Sequence, residues 1–331
     1  MKAIATRLPD PGRPLDKDAA ADAFHHIVGG DLADSDIAAF LLALAERGET
    51  ADEIAAAASV LRQLMLPVSA PEGAIDLCGT GGDGSHSLNV STAATFVVAA
   101  AGVPVAKHGN RGASSRSGTA DVLEALGWQS DLAMDRVEAA LHEIGVTFLF
   151  AQRHHPALAR VAPVRRALGR RTIFNLLGPL ANPAGVPRQM IGVAAPEWLE
   201  PIARAGAALG GTEILTVHGG GLDEIAVHGQ TDLRRLREGV LIPEAFDPQA
   251  HDLGLHAREA IAGGDPPENA AELRALMEGR GRPAYRAIVL ANAAAALTLT
   301  GRTWDRALAD ARTALDSGAA ADKLARFLAF R

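Results

Sequence analysis

Gly79-Thr80-Gly81-Gly82-Asp83-Gly84 lies between a short apolar run, AIDLC, and a stretch of helical character, STAATFVVAAAG. Such a loop can turn its backbone N–H groups inward, and Asn89-Val90-Ser91-Thr92 follows at what reads as a helix N-terminus. Free N–H donors, small hydroxyls and the positive end of a helix dipole make an anion cradle. A plain capping role for Ser91 is the competing account. The loop also satisfies G-x-G-x-x-G, but a nicotinamide dinucleotide site wants an acid about 20 residues onward for the ribose hydroxyl. No Asp or Glu occurs between Asp83 and Asp121, and G-x-x-x-x-G-K-[ST] is absent, so neither dinucleotide nor P-loop chemistry is indicated.

A second polar run, Lys107-His108-Gly109-Asn110-Arg111-Gly112-Ala113-Ser114-Ser115-Arg116-Ser117-Gly118, follows the apolar segment VPVA. Its cations, hydroxyls, amide and glycines could wrap phosphate groups on closing; the alternative is a flexible surface linker. Lys107 stands out, because only Lys2, Lys17, Lys107 and Lys323 are lysines among 32 basic residues. A compact ammonium inside a Gly/Asn loop is then a choice of chemistry. No acid occurs between Glu143 and Glu197, while Arg153, Arg160, Arg165, Arg166, Arg170, Arg171 and Arg188 do. That stretch reads either as a local anion site or as an Arg-rich solvated helix face.

The elements that must hold these residues follow from periodicity. Residues 17–66 read as three short Ala/Leu-rich helices, with Ser35 and Thr50 as N-caps, Glu53 completing a capping box, and Gly30 and Gly48 as stops. From residue 74 the pattern becomes strand, glycine loop, helix, strand: one βαβ unit. Further strands are predicted at VTFLFA (146–151), MIGVA (190–194), EILTVHG (213–219) and EIAVHG (224–229), alternating with helices such as TADVLEALG, WLEPIARAGAALG and PENAAELRALMEG. The expected fold is α/β: a small all-helical N-terminal domain over residues 1–70, joined by part of 155–188, and a larger domain over 71–331 with a mainly parallel central sheet. In open sheets of this kind ligands collect outside the carboxyl ends of the strands, so the two polar loops face one ligand.

The 331 residues, 48% apolar and 21% charged, suffice for about two domains with a packed core. A net charge of −7 and 13 aromatic residues argue against a nucleic-acid partner or an anionic membrane surface. No apolar run reaches membrane-spanning length, and the N-terminus lacks an apolar signal region. The lone Cys78 excludes an internal disulfide and fits a reducing cytoplasm.

Read together, GTGGD, NVSTAA, KHGNR, SSRSG, ADVLEALG, HHPA, PVRRALGRRTIFNLLGPLANP, GLDEIA, AGGDPPENA and ANAAAAL resemble, in order and over nearly the whole chain, the anthranilate phosphoribosyltransferase family. The resemblance implies the nucleoside-phosphorylase-like fold, a homodimer formed through the helical part, and transfer of phosphoribosyl from 5-phosphoribosyl 1-diphosphate to anthranilate. It implies that Gly79, Gly82, Asp83, Ser87, Asn89, Val90, Ser91, Thr92, the run Lys107 to Ser115 and Thr119 contact the sugar donor. Gly79, Asn110 and Arg165 would contact anthranilate, the guanidinium of Arg165 holding its carboxylate. Ser91, Asp223 and Glu224 would hold Mg²⁺. Ser87 and Leu88 stand where the family more often has Thr and Phe, and Ser87 keeps the hydroxyl. No catalytic residue is assigned: His108 serves either as a proton acceptor or as a loop histidine bonding the backbone. His154 and His155 precede Pro156 at an apparent helix start. The rival on the same fold is a pyrimidine nucleoside phosphorylase, whose phosphate loop carries a different lysine-serine pattern.

Overall fold

The computed structural model describes residues 8–112 and 116–331. The N-terminal layer is three helices, α1 (Lys17–Gly29), α2 (Asp34–Arg47) and α3 (Ala51–Leu64). Asp16 caps α1 through the N–H of Ala19, and Thr50 with Glu53 forms the predicted capping box on α3. The predicted Ser35 cap is not observed. Helix α2 begins two residues earlier, after Ala33, without a side-chain cap, and Asp34 and Asp36 supply negative charge to its first turn instead.

The chain then enters the sheet. Strand β1 (Ile75–Gly79) leads into α4 (Val90–Ala100) and β2 (Val105–Gly109), and then α5 (Thr119–Leu126), α6 (Met134–Ile144) and β3 (Val146–Phe150). A connecting stretch holds the short helices α7 (Ala151–His154), α8 (Ala162–Leu168) and α9 (Phe174–Leu177). After it come β4 (Arg188–Gly192), α10 (Leu199–Ala208), β5 (Glu213–His218), β6 (Thr231–Arg237) and β7 (Val240–Phe246). Four helices end the chain: α11 (Pro266–Met277), α12 (Pro283–Thr298), α13 (Trp304–Asp316) and α14 (Ala319–Ala329). The seven strands lie in the order β3-β2-β1-β4-β5-β6-β7, the first five parallel and the last two antiparallel.

Two predictions are corrected. EIAVHG is not a strand. Residues 219–230 form an irregular loop in which the N–H and C=O of Ile225 bond the side-chain amide of Asn292, and the N–H of Ala226 bonds the Thr231 hydroxyl. The backbone is buried and satisfied without a ladder. The strand lies just beyond, in an unpredicted hairpin turning at Glu238-Gly239, both with positive φ (50° and 79°). The second correction concerns Lys107, His108 and Gly109, which belong to β2 rather than to the loop after it.

Two large apolar clusters flank the sheet, with a smaller third one between α6 and strands β2 and β3. One joins α4, α5 and the four C-terminal helices to one sheet face, around α12, which is apolar and buried on all sides. The other gathers α1–α3, Val161 and Val164 beside α8, Phe174 and Leu177 of α9, and α10 against alternate residues of β4 and β5, among them Ile191 and Ile214. The helical layer therefore draws on residues 161–181 for its core.

Candidate functional site

The strand order reverses about β1: β2 and β3 are added on one side of it, β4 and β5 on the other. A crevice opens outside the carboxyl ends of β1 and β4, where Gly79 pairs with Gly192. Asp223, from the 219–230 loop, rests on this pair. A Cβ at Gly79 would fall on its carboxyl group, and one at Gly192 on its carbonyl oxygen. Absence of side chains at these two strand ends lets the acidic loop close over the sheet.

The glycine loop meets it from the other side. Gly81 donates its N–H to Asp223 Oδ2 at 2.7 Å, and the N–H of Asp223 reaches Asp83 Oδ2 at 3.4 Å. Gly81, Gly82 and Gly84 all take positive φ, which lets the loop turn back on itself. Glu224 Oε1 accepts from the N–H of Ser91 in the first turn of α4 at 3.1 Å. Burial, together with the neighbouring Asp83 and Asp223 charges, pushes both Asp223 and Glu224 well above the usual carboxylate range.

Lys107 is 2% exposed, and its ammonium donates to the carbonyl of Leu77 at 2.8 Å and to Ser91 Oγ at 3.2 Å. A point charge is thus planted at the first turn of α4. Beneath it Asp76, wholly buried, accepts from the N–H of His108 at 3.2 Å and from Nδ2 of Asn182 at 2.7 Å. Burial raises the Asp76 carboxyl and pushes the Cys78 thiol up, so Cys78 stays protonated and inert. His108 Nδ1 lies 2.9 Å from the carbonyl of Gly178. A carbonyl only accepts, so Nδ1 carries the proton and Nε2, buried without a partner among the described residues, keeps a lone pair. The His155 ring sits 5.2 Å away, centroid to centroid. Burial, then the adjacent imidazoles, lowers His108 to about 3 and His155 to about 4; both are neutral at pH 7.

The second loop folds back on α5. Arg111 forms a fork with Glu124 (2.6 and 2.7 Å) and reaches Asp121, while Asp121 also accepts from the N–H groups of Gly112 and Gly118. Gly109, Asn110, Arg111, Gly112 and Thr119 line the cleft. Thr92 does not: it sits behind, hydrogen bonded to Thr119 at 3.1 Å. Ala113, Ser114 and Ser115 lie outside the described residues. Every other predicted donor-side residue, from Gly79, Gly82 and Asp83 to Ser87, Asn89, Val90 and Ser91, faces the same space, of about 320 Å³.

The opposite wall is apolar and comes from the helical layer: Leu61, Leu158, Phe174 and Leu177. Arg165 opens into it from α8, its guanidinium 5.4 Å from the Phe174 ring centre and without a hydrogen bond among the described residues. The remaining arginines of the acid-free stretch fare differently. Arg160 pairs with Asp34, Arg170 with Glu46 and Arg171 with Glu49, and Arg153 donates to the carbonyls of Ser130 and Leu132. Three of the seven tie the connecting stretch to the helical layer, and Arg165 is what faces the cleft. Sequence reasoning missed Asp76, Asn182 and Asn292, solitary polar residues within apolar runs that carry no spacing signal.

The donor set suits a hard cation. Asp223 and Glu224 are adjacent, repel one another and have the Ser91 hydroxyl beside them. Among the described residues no three acidic, histidine or cysteine side chains converge as a complete cage. A partial oxygen shell finished by phosphate oxygens and water is what Mg²⁺ ordinarily accepts.

Residues 71–321 match the family model described as "Glycosyl transferase family, a/b domain", and residues 7–65 match "Glycosyl transferase family, helical bundle domain". The anthranilate phosphoribosyltransferase of Novosphingobium aromaticivorans is 51% identical over 318 residues, covering 95% of this chain and 96% of its own. The chain belongs to the anthranilate phosphoribosyltransferase family. Another member, from Afipia carboxidovorans, is 50% identical over 99% of this chain and 98% of its own. Among solved anthranilate phosphoribosyltransferases, that of Thermus thermophilus superposes with a TM-score of 0.91 at 42% identity, covering 96% of each chain. The Saccharomyces cerevisiae enzyme, solved in complex with PRPP and Mg, gives 0.86 at 28% identity over 95% of this chain and 93% of its own.

Proposed function

We propose that this chain transfers the phosphoribosyl group of 5-phosphoribosyl 1-diphosphate (PRPP) to the amine of anthranilate, releasing diphosphate. The observation that carries this reading is one cleft with two unlike walls: a cradle of glycine N–H groups, hydroxyls and Lys107 facing an apolar wall that holds Arg165. The cradle suits phosphates, and the apolar wall with one guanidinium suits an aromatic carboxylate.

In this reading the loops after β1 and β2 hold the donor, and Arg165 holds the acceptor carboxylate. Asp223, Glu224 and Ser91 hold Mg²⁺, which when bound would neutralise phosphate charge and act as a Lewis acid toward the leaving diphosphate. As the C1–oxygen bond to diphosphate breaks, Lys107 and the N-terminus of α4 stabilise charge on the departing oxygens while C1 gains oxocarbenium character. The aromatic amine is unprotonated near neutrality, so attack needs orientation rather than a strong base. Its proton leaves afterwards, and the Nε2 lone pair of His108 is one acceptor within the cleft. No group is assigned as an obligatory base.

The test is the decay of anthranilate fluorescence with purified protein, PRPP and Mg²⁺, each omitted in turn. Loss of signal in the complete mixture alone supports the reading, and phosphorolysis of a pyrimidine nucleoside by the same protein would replace it. Within the same reading the enzyme is a cytoplasmic homodimer. Cys78, free and held protonated, fits a reducing compartment, and sedimentation at working concentration reads the assembly.

A further inference from the structure

Asn89 precedes α4 at the position where an Asn ordinarily turns its side-chain oxygen onto its own helix. Here the side chain makes no capping bond. Its Oδ1 accepts instead from Nδ2 of Asn269 at 2.9 Å, and its Nδ2 donates to the carbonyl of Ser117, at the return end of the second loop, at 3.2 Å. Asn269 is on α11, 2% exposed, and does not line the cleft. Its own Oδ1 accepts from the N–H of Gly264 at 2.8 Å, which fixes the amide so that the NH₂ end meets Asn89. The approach is close: a Cβ at Gly263 would lie 2.9 Å from that Oδ1 and 2.7 Å from the carbonyl of Ser87.

The consequence appears on α4. With Asn89 drawn aside, its side chain stays in the donor wall of the cleft, and the N–H of Ser91 goes to Glu224. The positive end of the α4 dipole is then not covered by the Asn89 side chain. The segment leading into it is tied to the same support, since Leu88 donates to the carbonyl of Ile261 and Gly263 to that of His86, each at 2.9 Å.

We propose that Asn269 is a positioning residue for the sugar-phosphate donor: by holding Asn89 away from α4 it fixes the Asn89 side chain in the donor wall of the cleft and sets where the second loop returns. This rests on the donor site proposed above.

Asn269→Asp keeps the acceptor for Gly264 but presents an oxygen to Asn89 Oδ1, which releases Asn89 to cap α4. The expected result is PRPP binding about tenfold weaker by calorimetry and a donor KM raised in proportion, with kcat and the anthranilate KM within about twofold. In an Asn89→Ala background, where no side chain can cap, the same substitution changes the donor constants less than about twofold. Asn269→Ala, which removes the NH₂ donor without adding charge, is run through the same pair of backgrounds. The proposal is overturned by donor constants unmoved in both variants, by donor and acceptor constants rising together, by an undiminished effect in the Asn89→Ala background, or by failure of both variants to fold. If the wild-type protein takes up no PRPP in the calorimeter, the donor-site reading itself falls and takes this inference with it, which separates the two failures.

Discussion

Arg165 shows how little of a charge run reaches the chemistry. Arg160, Arg170 and Arg171 of the acid-free stretch are occupied by Asp34, Glu46 and Glu49, while the guanidinium of Arg165 is desolvated against Phe174 and lines the cleft. A charge-assisted hydrogen bond to a carboxylate in such a place is worth about 1.5–3 kcal/mol, or about ten- to a hundredfold. Arg165→Ala therefore raises the anthranilate KM by that factor and leaves the PRPP KM within about twofold in steady-state kinetics; an equal rise for both substrates removes it from the acceptor wall. Asp223 and Glu224 are argued from the opposite problem, two carboxylates buried together with Asp83 near. Converting them to Asn and Gln removes the repulsion and the oxygen charge that a hard cation needs. The double variant is expected to lose its response to Mg²⁺ and to fall at least about a hundredfold in kcat/KM. A metal titration that overlays the wild-type curve would take both residues out of the site.

At the scale of elements, the 219–230 loop delivers those carboxylates, and Ile225 next to them is held at both backbone groups by one side-chain amide. Asn292 accepts from the N–H of Ile225 at 2.9 Å and donates to its carbonyl at 3.0 Å. Asn292→Leu fills the volume but strands two buried backbone groups, each costing about 1–3 kcal/mol. Urea unfolding should show a loss of about 2–6 kcal/mol with the Mg²⁺ response weakened alongside; an unchanged midpoint would mean the loop finds other partners. This loop also marks where the sequence stopped being legible. Ile225 and Val227 are apolar and alternate as in a strand, yet the pattern records only that they are buried, not that Asn292 and Thr231 satisfy the backbone around them. The true strand, β6, hides behind Arg234, Arg235 and Arg237, and the charges of Arg235 and Arg237 are balanced by Glu213 and Glu244 on the neighbouring strands. By contrast the β1–α4–β2 unit, the capping box at Thr50 and both polar loops could be read directly, because glycine turns, caps and apolar periods are local signals. Those signals mark the two polar loops, whereas Ser87, Thr119, Asp223, Glu224 and the acceptor role of Arg165 come from the family resemblance alone; Asp76, Asn182 and Asn269, which hold the cleft residues from behind, make contacts more than 30 residues away in the chain and leave no local signal.

For the molecule as a whole, the two imidazoles lie where the helical layer docks on the sheet: His108 belongs to β2 and is bonded to Gly178, and His155 lies just ahead of Val161 and Val164, which pack against α1–α3. Their titration therefore reports the joining of the two layers. Both are held far below the ordinary histidine value, His108 to about 3 and His155 to about 4, chiefly by burial, with neighbouring imidazoles adding like charge to both and Lys107 adding more at His108. In the unfolded chain they titrate near 6.5. Between that value and about 4 the unfolded state binds more protons, so stability rises with pH and is lost as pH falls. Buried Asp76 works with the opposite sign, because its raised carboxyl keeps a proton that the unfolded chain has already released, and the wild-type curve sums the two. Comparison with the His108→Gln, His155→Gln double variant isolates the imidazoles, since Asp76 and His154 remain in both proteins. Each buried neutral imidazole costs up to about 1.4 kcal/mol per pH unit below 6.5, so from pH 7 to pH 5 the wild type should lose about 4 kcal/mol more than the variant. The measurement is urea unfolding at the two pH values. Parallel losses in the two proteins would mean that both rings accept protons within the fold, and that water reaches the seam between the layers.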